Sequence, residues 1–390
     1  MKNIKFALAA IFTVITFTNL RAQSDITGQV GNRAISTAVP FLSIAPDARS
    51  GAMGDVGVAT TPDASSMHWN AAKYAFIKDK AGFNISYSPW LRALVKDINL
   101  AYLSGYYKLN DMSAISASLT YFSLGDINFT DNTGNSLGVY RPNEFAVSAG
   151  YARKLTDNLS GSFAFKYINS NLSQGQNTGT LDTKPGRSIA ADLGVYWQKD
   201  VDWFNNMDAE FAWGVAITNI GSKISYTDSD TAKYFIPTNL RFGPRLTLNI
   251  DDYNKVSFMV DVNKLLVPTP EVDRQENSSG DVYYRLVQSN ASPFEGMLES
   301  LYKAPDGFSE KLRELTWSFG AEYWYDNTFA LRGGVFYEDK QKGGRQYATF
   351  GAGVKYNLLT LDFSYLIPFT QNNPLEKTLR FSIKFDFPKI

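Results

Sequence analysis

Cysteine is absent from the 390 residues of the chain, and histidine occurs only once. Without cysteine there is no disulfide scaffold, no thiolate metal site and no cysteine nucleophile. A single imidazole excludes metal sites built from several histidines. Charged residues make up 19% of the chain and cancel to zero net charge, so the electrostatics do not favour nucleic acid as a partner. We expect no cofactor and no metal site, whereas aromatic residues, at 14%, are abundant.

Long apolar runs are also scarce. The first of them, Phe6–Leu20, follows Lys2 and Lys5, and this pattern predicts a secretory signal peptide over residues 1–22, cleaved after Ala22. An uncleaved membrane anchor is the alternative, but the run is shorter than the roughly 20 residues that a spanning helix needs. No later segment offers a long uncharged apolar stretch. A chain embedded in a membrane would therefore cross it with β-strands.

Apolar and polar residues alternate along most of the chain from residue 80 onward. Leu315, Trp317 and Phe319, for example, are interleaved with Thr316 and Ser318. This period of two indicates strands with one apolar face and one polar or small face. Most segments reach the roughly 9–11 residues with which a tilted strand crosses a bilayer. The predicted strands are 80–90, 96–109, 112–124, 143–154, 158–172, 187–199, 208–220, 238–251, 253–264, 314–325, 328–338, 346–356, 358–367 and 377–387.

The links between these strands largely alternate between short and long. Residues 110–111 and 326–327 are short links, whereas 125–142 and 265–313 are long. Links 91–95 and 200–207 fit the alternation less well. Short periplasmic turns and long external loops are typical of an outer-membrane barrel. We therefore predict an all-β fold, a 14-stranded antiparallel transmembrane β-barrel over residues 80–390 with both chain termini in the periplasm. A soluble β-sandwich with an aromatic core is the alternative.

The inward rows of the predicted barrel carry serine, threonine, glycine, alanine and a few isolated charges. The inward charged residues are Asp192, Arg241, Arg245, Glu322, Arg332, Lys355 and Asp362. Residues 23–79 do not alternate, and we expect them to fold into the lumen as a plug. Asp63, Ser65 or Ser66 would cap a helix over residues 67–77.

The segment before the barrel carries a family resemblance. Residues 40–60 read PFLSIAPDARSGAMGDVGVAT, and Trp-Asn-Ala-Ala follows at 69–72. With the 14 strands behind it, this run resembles the PorV family, outer-membrane barrels of the Bacteroidetes type IX secretion system that are related in fold to FadL-type channels. FadL-like relatives often carry Asn-Pro-Ala where this chain has Asn-Ala-Ala.

The resemblance implies a non-enzymatic role. Members of the family collect secreted cargo by its C-terminal signal domain after the cargo has passed a SprA-like translocon. They deliver it to an attachment complex that contains a PorU-like sortase. The implied partners are these proteins and outer-membrane lipid.

The plug segment contains charged residues and a single histidine that suggest candidate sites. Asp47, Arg49 and Asp55 are predicted to form an ion-pair network that holds the plug in the lumen, because a buried charge is tolerated when it is paired. The alternative is a ligand-binding role. His68 is expected to pack beside Trp69, although a lipid hydrolase could use it as a base.

The long link 265–313 is predicted to be an external loop that carries a helix. Ser292, Pro293 and Glu295 suit the N-cap, first and third positions of that helix. Apolar residues then follow at helical spacing. They are Phe294, Met297, Leu298, Leu301 and Tyr302. This helix either roofs the pore or presents an apolar face to a partner.

Two other functions remain open from the residues alone. The plug and the 14 strands would also suit a FadL-like channel for hydrophobic solutes. A lipid A-modifying enzyme is a further alternative, and it would depend on His68 if its mechanism needs an imidazole.

Overall fold

The computed structural model describes residues 33–130, 133–172, 183–204, 207–227, 233–276, 282–287, 289–305 and 307–388. The predicted signal peptide, residues 1–22, lies outside them. The chain divides into two units: residues 1–31 with 272–285, and residues 32–271 with 286–390. The second unit contains the barrel and the plug, and all the sites discussed below belong to it.

Fourteen strands close into an antiparallel barrel in which the first strand pairs with the last. The strands in chain order are β1 (Ala81–Pro89), β2 (Asn99–Lys108), β3 (Ser113–Ser123), β4 (Ile127–Thr130), β5 (Ser136–Tyr140), β6 (Asn143–Lys154), β7 (Leu159–Asn171), β8 (Gly186–Phe204), β9 (Met207–Gly221), β10 (Asn239–Asn249), β11 (Asn254–Leu265), β12 (Glu271–Glu276), β13 (Val282–Val287), β14 (Leu315–Tyr325), β15 (Phe329–Tyr337), β16 (Gln346–Tyr356), β17 (Leu359–Pro368) and β18 (Leu379–Phe387). The pairs β4–β5 and β12–β13 form separate two-stranded sheets. The prediction of a 14-stranded antiparallel barrel is confirmed.

The rows of side chains explain why these segments are strands. On β15, Leu331 points outward and is 62% exposed, whereas its neighbour Arg332 points inward and is 5% exposed. The same alternation recurs around the barrel, with large apolar side chains such as Phe165 and Phe258 exposed on the outer surface. An outward apolar band and a polar interior are what a barrel in lipid requires.

Link lengths alternate more regularly in the structure than in the sequence-based prediction. The long links are 90–98, 124–142, 172–185, 222–238, 266–314, 338–345 and 369–378, and the short ones are 109–112, 155–158, 205–206, 250–253, 326–328 and 357–358. The predicted link 200–207 was too long, because β8 continues through Phe204 and β9 already begins at Met207. At one short turn Asp326 and Asn327 both have positive φ, 51° and 47°. This is the backbone of a tight hairpin turn, which asparagine and aspartate tolerate.

The described part of the plug, residues 33–79, contains four short helical segments. They are the 3-10 segments Pro40–Ser43 and Ala71–Phe76 and the single α-turns Ala48–Gly51 and Ser66–Trp69. The single helix predicted over residues 67–77 was wrong, because Asn70 is extended (φ −163°, ψ 101°) and divides it. The Asn70 side chain caps the second piece at Ala72 N and donates to the wall at Val195 O (2.9 Å).

The plug crosses the lumen from one mouth to the other. At the long-loop end Phe41 packs against Leu100 and Phe122, and at the short-turn end Tyr74 packs against Tyr106. Both ends of the barrel sheet, at β1 and β18, lie at the short-turn end. The first described residue, Arg33, instead lies at the long-loop end, 3.9 Å from Glu310 in link 266–314. The predicted periplasmic location of the two chain termini stays a prediction, because residues 1–32 and 389–390 lie outside the described ones.

Among its described residues, link 266–314 carries two helices, Pro293–Tyr302 and Phe308–Arg313, of which only the first was predicted from the sequence. The first begins with the predicted capping box: Ser292 Oγ accepts from Glu295 N, and Glu295 Oε2 accepts from Ser292 N, both at 3.3 Å. We call it the external helix. Within the described residues, no helix has the length and apolar character needed to span a membrane.

Candidate functional sites in the lumen and on the external helix

Six charged side chains join the plug to the wall in a closed ring of alternating sign, which we call the charge ring. Arg49 and Asp63 come from the plug, and the other four come from β14, β15, β17 and β18. The members are, in order around the ring, Arg49, Glu322, Arg332, Asp362, Lys384 and Asp63. Each cation therefore lies between two anions, which is the arrangement that best compensates buried charges.

The contacts within the charge ring are short. Glu322 accepts from Arg49 Nε at 2.9 Å and Nη2 at 2.7 Å, a bidentate pair, and from Arg332 Nε at 2.7 Å. Asp362 accepts from Arg332 Nη1 at 2.7 Å and lies 2.8 Å from Lys384 Nζ. Asp63 closes the ring, 3.0 Å from Arg49 Nη1 and 3.3 Å from Lys384 Nζ. Bidentate arginine–carboxylate pairs fix orientation as well as contributing energy.

The plug member Asp63 remains ionised in this setting. Burial alone would raise the pKa of its carboxyl group, but Lys384, Arg49 and Lys73 together hold that pKa well below its usual range. The sequence suggested Asp63 as a helix cap, and its Oδ1 does accept from Ser65 N at 3.0 Å. Its other oxygen belongs to the charge ring, so one carboxylate shapes the plug and attaches it.

The structure places the three predicted plug residues in three different settings. Arg49 is in the charge ring. Asp47 caps the turn Ala48–Gly51 by accepting from Ser50 N at 2.9 Å, and it accepts from Trp69 Nε1 at 2.7 Å. Among the described residues, no hydrogen bond or ion pair joins the three to one another. Their proposed role in holding the plug stays a prediction.

The third residue, Asp55, contacts the wall at the long-loop side. Its Oδ2 accepts from Tyr347 Oη at 2.5 Å, and its Oδ1 lies 3.7 Å from Arg380 Nη2. Asp55 is also one of the non-glycine residues with positive φ, 61°. This left-handed conformation follows Gly54, whose φ is 69°, so the plug chain makes a turn at these two residues.

Glycines on the inward rows let the plug backbone touch the wall. A Cβ on Gly334 would lie 2.1 Å from Met53 C, and one on Gly320 would lie 2.8 Å from Met53 O. A Cβ on Gly351 would lie 2.6 Å from Ala52 Cβ, which agrees with the close approach expected within strands that carry glycine. The wall also satisfies the plug backbone: Asp261 Oδ2 accepts from Gly57 N at 2.8 Å and from Val58 N at 2.9 Å.

His68 packs in the plug as the sequence led us to expect. Its ring lies edge-on to Trp69 at 4.8 Å and to Tyr102 at 6.3 Å between centroids. Burial lowers the pKa of His68 well below its ordinary value, with Arg241 and Lys166 adding to the effect. A neutral imidazole between aromatic rings is a packing residue.

Lys73 is expected to make the stability of the protein depend on pH. Its Nζ is buried and donates to Gly57 O and Thr60 Oγ1, both at 2.8 Å. Burial lowers the pKa of Lys73 to about 8, against the opposing attraction of Asp63, whereas the unfolded chain keeps a lysine pKa of about 10.4. The unfolded state therefore binds more protons between these two values, and stability rises with pH across that window.

The measurement for Lys73 is thermal melting of the purified protein at intervals from pH 7 to 10. As the pH increases, we expect the melting temperature of wild type to rise relative to that of Lys73→Met. Methionine keeps an unbranched side chain of similar length but has no titratable group. Parallel pH profiles for the two proteins would contradict this account of Lys73.

The external helix exposes its large apolar residues. Phe294, Leu298, Leu301 and Tyr302 are between 47% and 74% exposed, while Gly296 and Ser300 form the buried face. A Cβ on Gly296 would lie 2.7 Å from the Phe235 ring, so the helix packs closely on link 222–238 through its small residues. Of the five predicted apolar residues, Met297 alone is half-buried.

The second helix adds Phe308 and Leu312, which are 78% and 53% exposed. We call these six exposed side chains (Phe294, Leu298, Leu301, Tyr302, Phe308 and Leu312) the apolar ridge.

Ion pairs hold the second helix against the barrel mouth. Glu314, next to its C-terminal end, forms an ion pair with Lys264 of β11 and accepts from Thr269 Oγ1 at 2.6 Å. Glu310 accepts from Lys342 Nζ of link 338–345 at 2.5 Å. The part of the apolar ridge on the second helix is therefore fixed to the barrel mouth by these ion pairs. In the described part of the chain, no cluster of three or more histidine, aspartate or glutamate side chains could hold a metal ion.

A closed, plugged 14-stranded barrel with an apolar outer surface defines the class of outer-membrane β-barrels. Residues 27–272 match the family described as Type IX secretion system protein PorV. The chain therefore belongs to the PorV family. A search of curated proteins gave no match.

Solved structures of similar architecture include hydrocarbon channels. The Ralstonia pickettii toluene transporter TbuX is 14% identical, with 87% of this chain and 98% of that chain covered and a TM-score of 0.47. The CymD monoaromatic hydrocarbon channel is 13% identical, with coverages of 88% and 98% and a TM-score of 0.48. A Pseudomonas aeruginosa FadL homologue is 12% identical, with coverages of 91% and 100% and a TM-score of 0.41.

Proposed function

We propose that this protein is the outer-membrane component of a type IX secretion system that binds secreted cargo and hands it to the cell-surface attachment complex. In this proposal the barrel receives the C-terminal signal domain of the cargo from a SprA-like translocon. It then delivers the cargo to a complex that contains a PorU-like sortase. The short-turn end faces the periplasm and the long-loop end faces outward.

The apolar ridge is the observation that carries the proposal. Six large apolar side chains project into solvent from two helices at the long-loop end, and Tyr302 and Phe308 are more than 70% exposed. Exposed apolar patches of this kind mark surfaces that bind proteins or membranes. The external helix buries its glycine and serine face instead, so its apolar face is free for a partner.

The filled lumen supports a role in binding rather than conduction. Residues 33–79 cross from mouth to mouth, and the charge ring attaches them to four strands. A PorV-family barrel closed in this way would handle its cargo at the external surface.

The test removes apolar area from the ridge. The variant Phe294→Ser/Leu298→Ser/Leu301→Ser is expected to weaken binding of a purified cargo signal domain by at least about tenfold, since apolar anchors contribute most to such interfaces. Fluorescence anisotropy with the detergent-solubilised full-length barrel measures the affinity. The three positions are exposed, so the melting temperature should stay near that of wild type.

The matched control is Leu94→Ser/Val95→Ser. These residues are 64% and 41% exposed in link 90–98, at the same end of the barrel. If both variants lose affinity equally, or neither does, the ridge is not the cargo surface. If wild type binds no signal domain at all, the proposed function itself fails.

A further inference from the structure

A cavity of about 80 Å³ lies at the long-loop end between the plug and the wall. Apolar side chains line part of it, among them Ile35, Trp69 and Phe336. Arg241 of β10 forms another part of the lining. The cavity thus has a mixed lining, in which these apolar side chains lie beside polar and charged groups that include Arg241.

Arg241 is a buried guanidinium with an unused donor. The residue is 5% exposed, and its guanidinium carbon lies 4.7 Å from the centre of the Trp69 ring. With the Asn239 amide oriented to satisfy its neighbours, Arg241 Nε donates to the amide oxygen at 2.9 Å. Nη1 has no hydrogen-bond partner among the described residues. A buried donor in this state is costly unless a further group satisfies it.

Carboxylates near Arg241 do not neutralise it by contact. Asp261, Asp55 and Asp192 act on it only through space, and none of them accepts a hydrogen bond from it. Asp261 Oδ2 is engaged by the plug backbone and Asp55 Oδ2 by Tyr347, while the Oδ1 atoms of both carboxylates have no hydrogen-bond partner among the described residues. Burying a cation without a contacting anion is unfavourable. An anion that bound here and accepted a hydrogen bond from Arg241 would therefore lower the free energy of the site.

The other cations of the cavity are already engaged. Arg345 forms a two-pronged pair with Glu338 at 2.9 Å for each contact, and Lys342 is bonded to Glu310. Arg241 is therefore the lining cation, within the described chain, whose ion pair is missing. This distinguishes it from Arg49 and Arg332, which have two acidic partners each.

We propose that Arg241 and this cavity bind a monocarboxylate group that carries a short apolar substituent. The planar guanidinium matches the two oxygens of a carboxylate, and the apolar substituent would lie against Phe336 and Ile35. A phosphate is disfavoured because Asp55, Glu338 and Glu314 also line the cavity and would repel a dianion. The carboxylate could belong to a free short-chain acid or to a peptide C-terminus.

The experiment compares each acid with its neutral amide on the full-length barrel in detergent. Isothermal titration calorimetry uses 3-methylbutanoate against 3-methylbutanamide, and the tripeptide Ala-Ala-Val with a free against an amidated carboxyl terminus. We expect at least one acid to bind at least about tenfold more tightly than its amide, as a charge-assisted hydrogen bond implies. The pair that discriminates identifies the source of the carboxylate.

Arg241→Gln should abolish the preference for the acid, and Arg241→Lys should keep part of it. Arg153→Gln, an exposed arginine of β6, is the control and should bind like wild type. Melting temperatures of both Arg241 variants are measured as well, because Arg241 also lies over the Trp69 ring and attracts Asp261, and retention of the acid preference in Arg241→Lys separates loss of the cation from loss of the fold. Equal binding of acids and amides by wild type, or an acid preference that survives in Arg241→Gln, would overturn the proposal. Either result is independent of whether the apolar ridge binds a signal domain.

Discussion

Replacing Gly334 by valine is expected to dislodge the plug and open the barrel to ions. A Cβ at this inward position would lie 2.1 Å from Met53 C and 2.3 Å from Gly54 N, both backbone atoms of the plug. Backbone cannot rotate away as a flexible side chain can, so the plug must shift or the strand must bend. Overpacking of this kind costs about 1–3 kcal/mol. In planar lipid bilayers, wild type should stay closed and Gly334→Val should show channel openings.

The adjacent glycine provides the control. A Cβ on Gly333 would meet only Thr349 O, at 3.9 Å, so Gly333→Val has open space on the same strand. Valine also suits a strand better than glycine does. Gly333→Val should therefore remain closed and at least as stable as wild type. Equal conductance of the two variants, or steady conductance of wild type, would contradict the account of the lumen as sealed by the plug.

Removing the carboxylate of Glu322 is expected to have the largest effect on stability of any single change in the charge ring. Glu322 is 2% exposed and connects Arg49 of the plug to Arg332 of the wall. Glu322→Leu leaves two buried guanidinium groups with one acidic partner each. Breaking a buried ion pair by removing one partner costs about 3–5 kcal/mol.

Urea unfolding of the purified protein in detergent, followed by tryptophan fluorescence, measures the loss for Glu322→Leu. A surface pair provides the comparison: Asp126 and Arg141 form an ion pair whose side chains are 47% and 79% exposed. Asp126→Asn should cause no measurable change, because solvent screens exposed pairs. If the two variants are equally stable, the charge ring does not stabilise the fold as described.

The barrel could be predicted from the sequence because its two environments differ so sharply. Lipid outside and a polar lumen inside impose a period of two, and every barrel strand carries it. The prediction ended this strand too early: residues 200–204, Asp-Val-Asp-Trp-Phe, belong to β8 although they were assigned to a link. The hairpin β4–β5 is short and rich in turn residues, so link 125–142 gave no periodic signal.

The ion pairs of the charge ring could not be predicted from residues that are neighbours in the sequence. Asp47, Arg49 and Asp55 were grouped because they are neighbours in the chain, but the plug turns between them. Lys384 is 321 residues from its plug partner Asp63, and Arg49 is 273 residues from its wall partner Glu322. One part was within reach: Glu322 and Arg332 are direct cross-strand partners, and the tight turn 326–328 sets that register.

The route of the plug also constrains how the protein assembles. Residues 33–79 are threaded from mouth to mouth, and their direct charged partners on the wall, Glu322, Arg380 and Lys384, lie on β14 and β18, late in the chain. The plug therefore cannot be secured until the C-terminal strands are present and the seam between β1 and β18 is closing. Contacts so distant in sequence form late and slowly. A barrel that lost its last strand would lack both Lys384 and Ser382, which accepts from Ala48 N at 2.8 Å. Sealing of the lumen thus depends on the presence of β18.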